Sequence, residues 1–314
     1  MQRLIALVTR AGAEAENAWL DRLRPALPDE TIVPFRDLDV AARARVDIAI
    51  VANPDPAEVS ALPNLVWIHS LWAGVERLVL ELADLPVPIV RLVDPQLSAT
   101  MAEAVLAWTY YLFRDMPDYA RQQRERRWNP LPYRRAGDTT VSLLGLGTLG
   151  AAAAGRLIEA GFRVQGWSRT EKHLDGVAAF SGEEGLKAML SSTDILVCLL
   201  PLTAQTRGRV DGAVLRHLPK GACLINFARG PVLVAPDLIA ALDAGTLRHA
   251  VLDVFDVEPL PADDPFWAHP SVTVLPHISA PTDRDTAAAI VAGNIRAFRA
   301  TGSLPATVDR RRGY

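Results

Sequence analysis

Between residues 141 and 161 the chain reads VSLLGLGTLGAAAAGRLIEAG, a stretch that leaves little choice of fold. An apolar run that reads as a buried strand leads into Gly145, Gly147 and Gly150, and these lead into an alanine-rich segment of high helix propensity. A further short run, 163-RVQGW-167, follows. Strand, glycine turn, helix and strand make a parallel βαβ unit. In such a unit the three glycines give a tight turn, a close approach of backbone to pyrophosphate, and close packing of helix on strand. The pyrophosphate of a dinucleotide then rests on the helix N-terminus, where unpaired N–H groups and the dipole favour anions. GxGxxG alone would fit any glycine-rich turn, and the flanking elements are what favour a dinucleotide.

The second strand of this unit ends in 164-VQGWSRTEK-172. An acidic side chain about 20 residues beyond the glycine turn hydrogen-bonds a ribose 2′-OH and would repel a 2′-phosphate. Here Ser168, Arg169, Thr170 and Lys172 supply hydroxyls and positive charge instead. A guanidinium presents a planar fork that matches phosphate oxygens. An exposed loop arginine is commonplace, but its place after a GxGxxG unit favours 2′-phosphate recognition, hence NADP(H), with NAD(H) still open.

The same alternation runs along the whole chain. Predicted strands are 4-LIALV-8, 46-VDIAIVA-52, 65-LVWIHSL-71 and 88-PIVRL-92, then 141-VSLLG-145, 163-RVQGW-167, 195-ILVCLL-200, 222-ACLINFA-228, 250-AVLDVF-255 and 272-VTVLPH-277. Continuous apolar runs of this length suit parallel strands covered on both faces. With 314 residues, 50% of them hydrophobic, there is material for two cores. The expected fold class is therefore α/β, with two open parallel sheets. Two long helical patterns follow proline-marked turns at Pro95 and Pro281: 98-SATMAEAVLAWTYYLFRDM-116, with Ser98 as predicted N-cap, and 282-TDRDTAAAIVAGNIRAFRATG-302. Taken as crossings between domains, they predict one domain from residues 1–97 plus 282–314 and an inserted domain over 98–281.

Thirty-three basic against 36 acidic residues leave a net charge of −3, which offers no basic face to nucleic acid. The local run 121-RQQRERRW-128 is broken by an acid and reads as a solvated helix face or loop. No apolar stretch approaches the roughly 18 residues of a membrane span, and the N-terminal LIALV reads as a strand rather than a signal peptide. Cys198 and Cys223 each sit in an apolar run, without a CxxC or a Cys/His cluster. No metal site is expected, and a reducing compartment, the cytoplasm, fits.

Three more stretches close strands of the inserted domain: 226-NFARGPVL-233, 252-LDVFDVEPLP-261 and 274-VLPHISAPT-282. They bring Arg229, Glu258 and His277 to the carboxyl ends of strands, where α/β sheets bind ligands. Reducing a 2-keto acid needs a cation for the carboxylate, a proton donor for the carbonyl oxygen and an acid that keeps the donor charged. Each residue alone has an ordinary structural reading, as a surface arginine, a turn glutamate or a strand-end histidine. Their succession is the signal.

Together GLGTLG, 199-LLPLTAQTRGRVD-211, NFARGPVL, DVFDVEPLP and PHISA, in this order and spacing, resemble the D-isomer-specific 2-hydroxyacid dehydrogenase family nearly end to end. The SRT stretch, 71-LWAGVE-76 and 114-RDMPDYARQQ-123 are most similar to its glyoxylate/hydroxypyruvate reductase A branch. The resemblance implies a flavodoxin-like catalytic, substrate-binding domain built from both chain ends, an inserted Rossmann coenzyme domain, a cleft between them and a homodimer. It implies that Arg229 grips the substrate carboxylate and carbonyl, that His277 is the acid/base, and that Glu258 hydrogen-bonds it. It gives the coenzyme Gly145, Gly147, Thr148, Leu149 and Gly150, the SRT residues with Lys172, and also Leu200, Pro201, Thr206, Ala228 and Asp253. Trp72, Ala73, Gly74 and Val75 resemble the loop whose N–H groups hold the substrate carboxylate. Two positions depart from the pattern: Glu76 stands where Asp or Asn is frequent, and Trp72 where a small residue is. Trp72 reads equally as a cleft residue that limits the substrate side chain and as a core tryptophan.

The leading reading is NADPH-dependent reduction of glyoxylate or hydroxypyruvate to the 2-hydroxy acid, with His277 as proton donor. The alternatives are an NAD-dependent dehydrogenase of phosphoglycerate or D-lactate type, and a non-catalytic dinucleotide-sensing protein like the corepressor relatives that this family resembles.

Overall fold

A computed structural model describes residues 3–311 and residue 313. The chain divides into two compact units, Met1–Leu97 with Thr282–Tyr314, and Ser98–Pro281. The first holds five parallel strands: β1 (Leu4–Thr9), β2 (Ile32–Pro34), β3 (Val46–Ala52), β4 (Trp67–Ser70) and β5 (Ile89–Val90), in the order β2-β1-β3-β4-β5. All seven residues of β3 are buried, as a strand covered on both faces requires. The helix Arg284–Thr301 returns the C-terminal part of the chain to this sheet. Its Ala287, Ala288, Val291, Ala292 and Ile295 join Ile5, Leu7, Trp19 and Ile50 in one core. Arg299 ties the same helix down, pairing with Asp47 of β3 (2.5 and 2.9 Å) and with Glu30 (2.6 and 3.0 Å).

The second unit holds seven parallel strands: β6 (Thr140–Leu144), β7 (Arg163–Ser168), β8 (Val177–Ser181), β9 (Ile195–Cys198), β10 (Ala222–Asn226), β11 (Leu247–Leu252) and β12 (Val272–Val274). Their order is β12-β11-β10-β9-β6-β7-β8. It reverses between β6 and β9, the arrangement of a Rossmann sheet, and ligands bind outside the carboxyl ends of strands at such a reversal. Cys198 and Cys223 are free and buried, and burial pushes the Cys198 thiol up to about 12. Among the described residues no helix is long and apolar enough to cross a membrane.

The predicted strands are all present: β3 has the predicted limits, β1 and β7 run one residue longer, β6 and β11 lie one and three residues upstream, and the others are trimmed at their ends. Two edge strands, β2 and β8, are additional. Ile32–Pro34 has three residues and Val177–Ser181 is largely solvent-facing, so neither carries the buried apolar run that marks the others. The first long helix differs in both limits. It runs from Pro95 to Phe113, and its first-turn Gln96 N–H is capped by the Asp94 carboxylate at 2.8 Å, so Ser98 lies within the first turn and is not the N-cap. Beyond it Asp115 takes a left-handed conformation (φ 55°), and a separate helix runs Met116–Arg124.

Candidate active site

The turn after β6 is built by exclusion. Gly145 has φ 109°, and a Cβ there would stand 3.0 Å from the Leu199 carbonyl oxygen. A Cβ on Gly150 would come within 1.9 Å of the Gly145 carbonyl oxygen, so only glycine lets the helix start so close to the strand. Gly147 is different, since nothing lies within 4 Å of a Cβ built on it. It is the N-cap of the helix Thr148–Glu159 and offers no side-chain cap, which leaves the first-turn N–H groups of Thr148, Leu149 and Gly150 for an anion. These are the properties a pyrophosphate cradle needs. Leu200 is buried beside it, and Thr206 Oγ1 donates to the Pro201 carbonyl at 2.6 Å, which fixes the loop after β9.

At the end of β7 the Ser168 hydroxyl is buried and donates to the Thr170 carbonyl at 2.7 Å. Its proton is thereby committed to the turn. The donors presented to solvent are Arg169, Thr170 and Lys172, all exposed, with no carboxylate in the ribose position.

Arg229, Glu258 and His277 follow three neighbouring strands, β10, β11 and β12. After β10, Asn226 is buried and its Oδ1 accepts from Ala228 N–H at 3.2 Å, turning the chain so that half-buried Arg229 follows. The Arg229 guanidinium donates to the Ala228 carbonyl at 2.7 Å. After β12, His277 holds a left-handed backbone (φ 56°) that a non-glycine residue rarely adopts. It is held there by Asp253, 2% exposed, whose two carboxylate oxygens accept the N–H groups of Ile278 (2.8 Å) and Ser279 (2.9 Å). Glu258 Oε1 accepts from Phe255 N–H at 2.9 Å, and its Oε2 meets His277 Nδ1 at 2.7 Å. With the Glu258 oxygen as acceptor, Nδ1 carries the hydrogen and Nε2 is left for another partner. The His277 side chain is 52% exposed.

In the first unit, the loop after β4 places Trp72 half-buried, edge-on to Trp19 with ring centroids 5.9 Å apart. Its ring both packs on the core and lines a small pocket. The Trp72 N–H donates to Ser70 Oγ at 3.0 Å and so is already engaged. Among the described residues the N–H groups of Ala73, Gly74 and Val75 form no hydrogen bond.

Comparison with known proteins decides the family. The D-isomer specific 2-hydroxyacid dehydrogenase NAD binding domain matches residues 106–279. The chain belongs to the D-isomer specific 2-hydroxyacid dehydrogenase family. Across 302 residues it is 39% identical to the glyoxylate/hydroxypyruvate reductase A of Yersinia enterocolitica, covering 94% of this chain and 96% of that protein. Among solved structures it is similar to a D-isomer specific 2-hydroxyacid dehydrogenase of Xanthobacter autotrophicus Py2 in complex with NADPH and MES. That match has TM-score 0.92 and 40% identity over the full length of both chains. An NADPH-dependent glyoxylate/hydroxypyruvate reductase of Sinorhizobium meliloti, in complex with NADP and sulfate, matches with TM-score 0.92 and 33% identity, also over both full chains.

In this 2-hydroxyacid dehydrogenase several supporting residues have no obvious mark in the sequence. A Cβ on Gly230 would stand 2.0 Å from the Phe255 carbonyl carbon, so the loop bearing Arg229 closes onto the loop bearing Glu258 only because position 230 is glycine. Gly166 does the same between β7 and Leu146, whose side chain a Cβ would meet at 2.3 Å. Asn226 and the Asp253 clamp act through backbone groups. The Asp253 partners lie more than 20 residues away along the chain, so spacing could not reveal them.

Proposed function

We propose that this chain reduces a small 2-keto acid, glyoxylate or hydroxypyruvate, to the 2-hydroxy acid with NADPH. The Ser98–Pro281 unit is the coenzyme domain and the other unit the substrate domain. The observation that carries this reading is the His277 Nδ1–Glu258 Oε2 contact of 2.7 Å at a strand end of a nucleotide-binding sheet. The relatives support the cofactor and substrate class: the Sinorhizobium protein is a glyoxylate/hydroxypyruvate reductase holding NADP, and the Xanthobacter protein holds NADPH.

Gly147 and the first turn of Thr148–Glu159 would hold the pyrophosphate, with Leu200, Pro201, Thr206, Ala228 and Asp253 around the rest of the coenzyme. Arg169, Thr170 and Lys172 would face the 2′-phosphate, over a turn made by Ser168. Bound NADPH supplies the hydride that the carbonyl carbon accepts. His277 gives the proton on Nε2 to the carbonyl oxygen, while Glu258 on Nδ1 stabilises the imidazolium and fixes the ring. Arg229 pairs with the substrate carboxylate, and the N–H groups of Ala73, Gly74 and Val75 complete its grip, so one orientation is productive. A homodimer fits the exposed apolar side chains Trp128 and Tyr133, and two free buried thiols suit the cytoplasm.

The test is a panel of 2-keto acids assayed for oxidation of NADPH and of NADH. Glyoxylate or hydroxypyruvate with NADPH should give the highest kcat/KM. Tight NADPH binding with no keto-acid-dependent oxidation would refute the reading and leave a nucleotide-sensing protein.

A further inference from the structure

The strand order of the first unit reverses between β1 and β3, and an open α/β sheet holds its ligands at the carboxyl edge beside such a reversal. A pocket of about 300 Å³ lies there, lined among others by Thr9, Arg10, Trp19, Asn53, Trp72 and Arg284. The two strand-end loops are drawn together by the Arg10 N–H, which donates to the carbonyl of Asn53 at 3.3 Å, and Asn53 takes the left-handed conformation (φ 53°).

Its guanidiniums set this pocket apart. Of the carboxylates around it, Glu58 feels the charge of Arg10 from beyond salt-bridge range, and the others are engaged elsewhere. Asp283 caps the helix through Asp285 N–H and Thr286 N–H, Asp285 pairs with Arg22 at 2.5 Å, and Glu16 pairs with Arg36 at 2.6 Å. Among the described residues neither Arg10 nor Arg284 has a carboxylate in salt-bridge range. Arg284 lies over the Trp19 ring, 5.7 Å from its centroid, and Trp19 in turn meets Trp72. An aromatic wall of this kind orients a guanidinium without neutralising it. Two like charges on one small cavity raise its potential, and an anion between them relieves the repulsion.

We propose that this pocket receives a second anionic group of a substrate, so that among 2-keto acids with longer side chains than that of hydroxypyruvate the enzyme favours those that end in a carboxylate or a phosphate. The inference rests on the reductase reading, which places the reacting carboxylate against Ala73, Gly74 and Val75, next to Trp72. An arginine fork fits either anion, and the substrates decide which it is.

The experiment compares kcat/KM with NADPH for oxaloacetate, 3-phosphohydroxypyruvate and 2-oxobutyrate, the last having a side chain of similar length without charge. A second readout is the calorimetric affinity of D-malate in the presence of NADPH, a pair that has no hydride to exchange. At least one of the two dianionic keto acids should exceed 2-oxobutyrate. Arg284→Ala and Arg10→Ala should each lower that ratio roughly ten- to a hundredfold, mainly through KM, as the loss of a charge-assisted hydrogen bond implies. The larger of the two dianion ratios identifies the group as carboxylate or phosphate. Preference for 2-oxobutyrate over both dianions, or ratios unmoved by both substitutions, would overturn the proposal. If no keto acid oxidised NADPH, the reductase reading would fall by itself. The pocket would then be judged on calorimetry: D-malate affinity weakened by Arg284→Ala keeps an anion site, and unchanged affinity removes it.

Discussion

Arg169 stands exposed directly after Ser168, which closes β7 where a ribose-binding acid would otherwise be. Arg169→Ala should weaken NADPH roughly ten- to a hundredfold, the worth of one charge-assisted hydrogen bond, and leave NADH almost unaffected because it has no 2′-phosphate. Titration of both cofactors checks this, and an unmoved NADPH/NADH ratio would remove Arg169 from cofactor choice. Asp253 makes a different kind of contribution. Its carboxylate accepts two buried N–H groups beside the left-handed His277, so Asp253→Ala strands both donors and frees the strained segment. The expected outcome is a loss of about 1–3 kcal/mol in stability together with a fall in kcat. A variant that melts lower but keeps full kcat would limit Asp253 to a structural role.

Elements are set by close approaches as much as by propensity. At Gly150 a Cβ would sit 1.9 Å from a backbone oxygen, so Gly150→Ala should push the helix Thr148–Glu159 off β6. It should cost about 1–3 kcal/mol and most of the NADPH affinity. Normal NADPH binding by that variant, measured by calorimetry, would contradict the geometry. The three glycines of this turn were legible because their spacing is local, and so were the buried strands and the Arg229, Glu258 and His277 positions at strand ends. The edge strands β2 and β8 were not, since half-exposed short strands carry no distinctive pattern. Asp94 displaced Ser98 as the cap because Pro95 can occupy the first helical position, which moves the start of the helix upstream. Gly230 and Asn226 stayed hidden for another reason: what demands them is a neighbouring loop or a backbone N–H, visible only after the chain has folded.

At the scale of the whole molecule each unit contains a buried neutral histidine. His69 is fully buried, its Nδ1 meets the Ser70 carbonyl at 2.9 Å and its Nε2 meets the Asn294 amide nitrogen at 2.9 Å, so both ring nitrogens are used by the uncharged form. Burial pushes its pKa down to about 4, and burial does the same to His249, whose Nε2 meets Thr273 Oγ1 at 2.9 Å. Unfolded, each titrates near 6.5. Between about pH 6.5 and about pH 4 the unfolded chain therefore takes up protons that the folded chain refuses. Stability is full above this window and falls as the pH drops through it, by about 1.4 kcal/mol per pH unit for each histidine. Urea unfolding across that range checks the slope, and stability that held constant or rose on acidification would contradict it. The central claim, keto-acid reduction by NADPH with His277 as proton donor, is tested most directly by kcat for glyoxylate reduction in the wild type and in His277→Ala, with NADPH affinity measured in both. The expected result is turnover in the wild type and a fall of roughly 10²–10⁴-fold in the variant at nearly unchanged NADPH affinity. Equal kcat in the two proteins would contradict it.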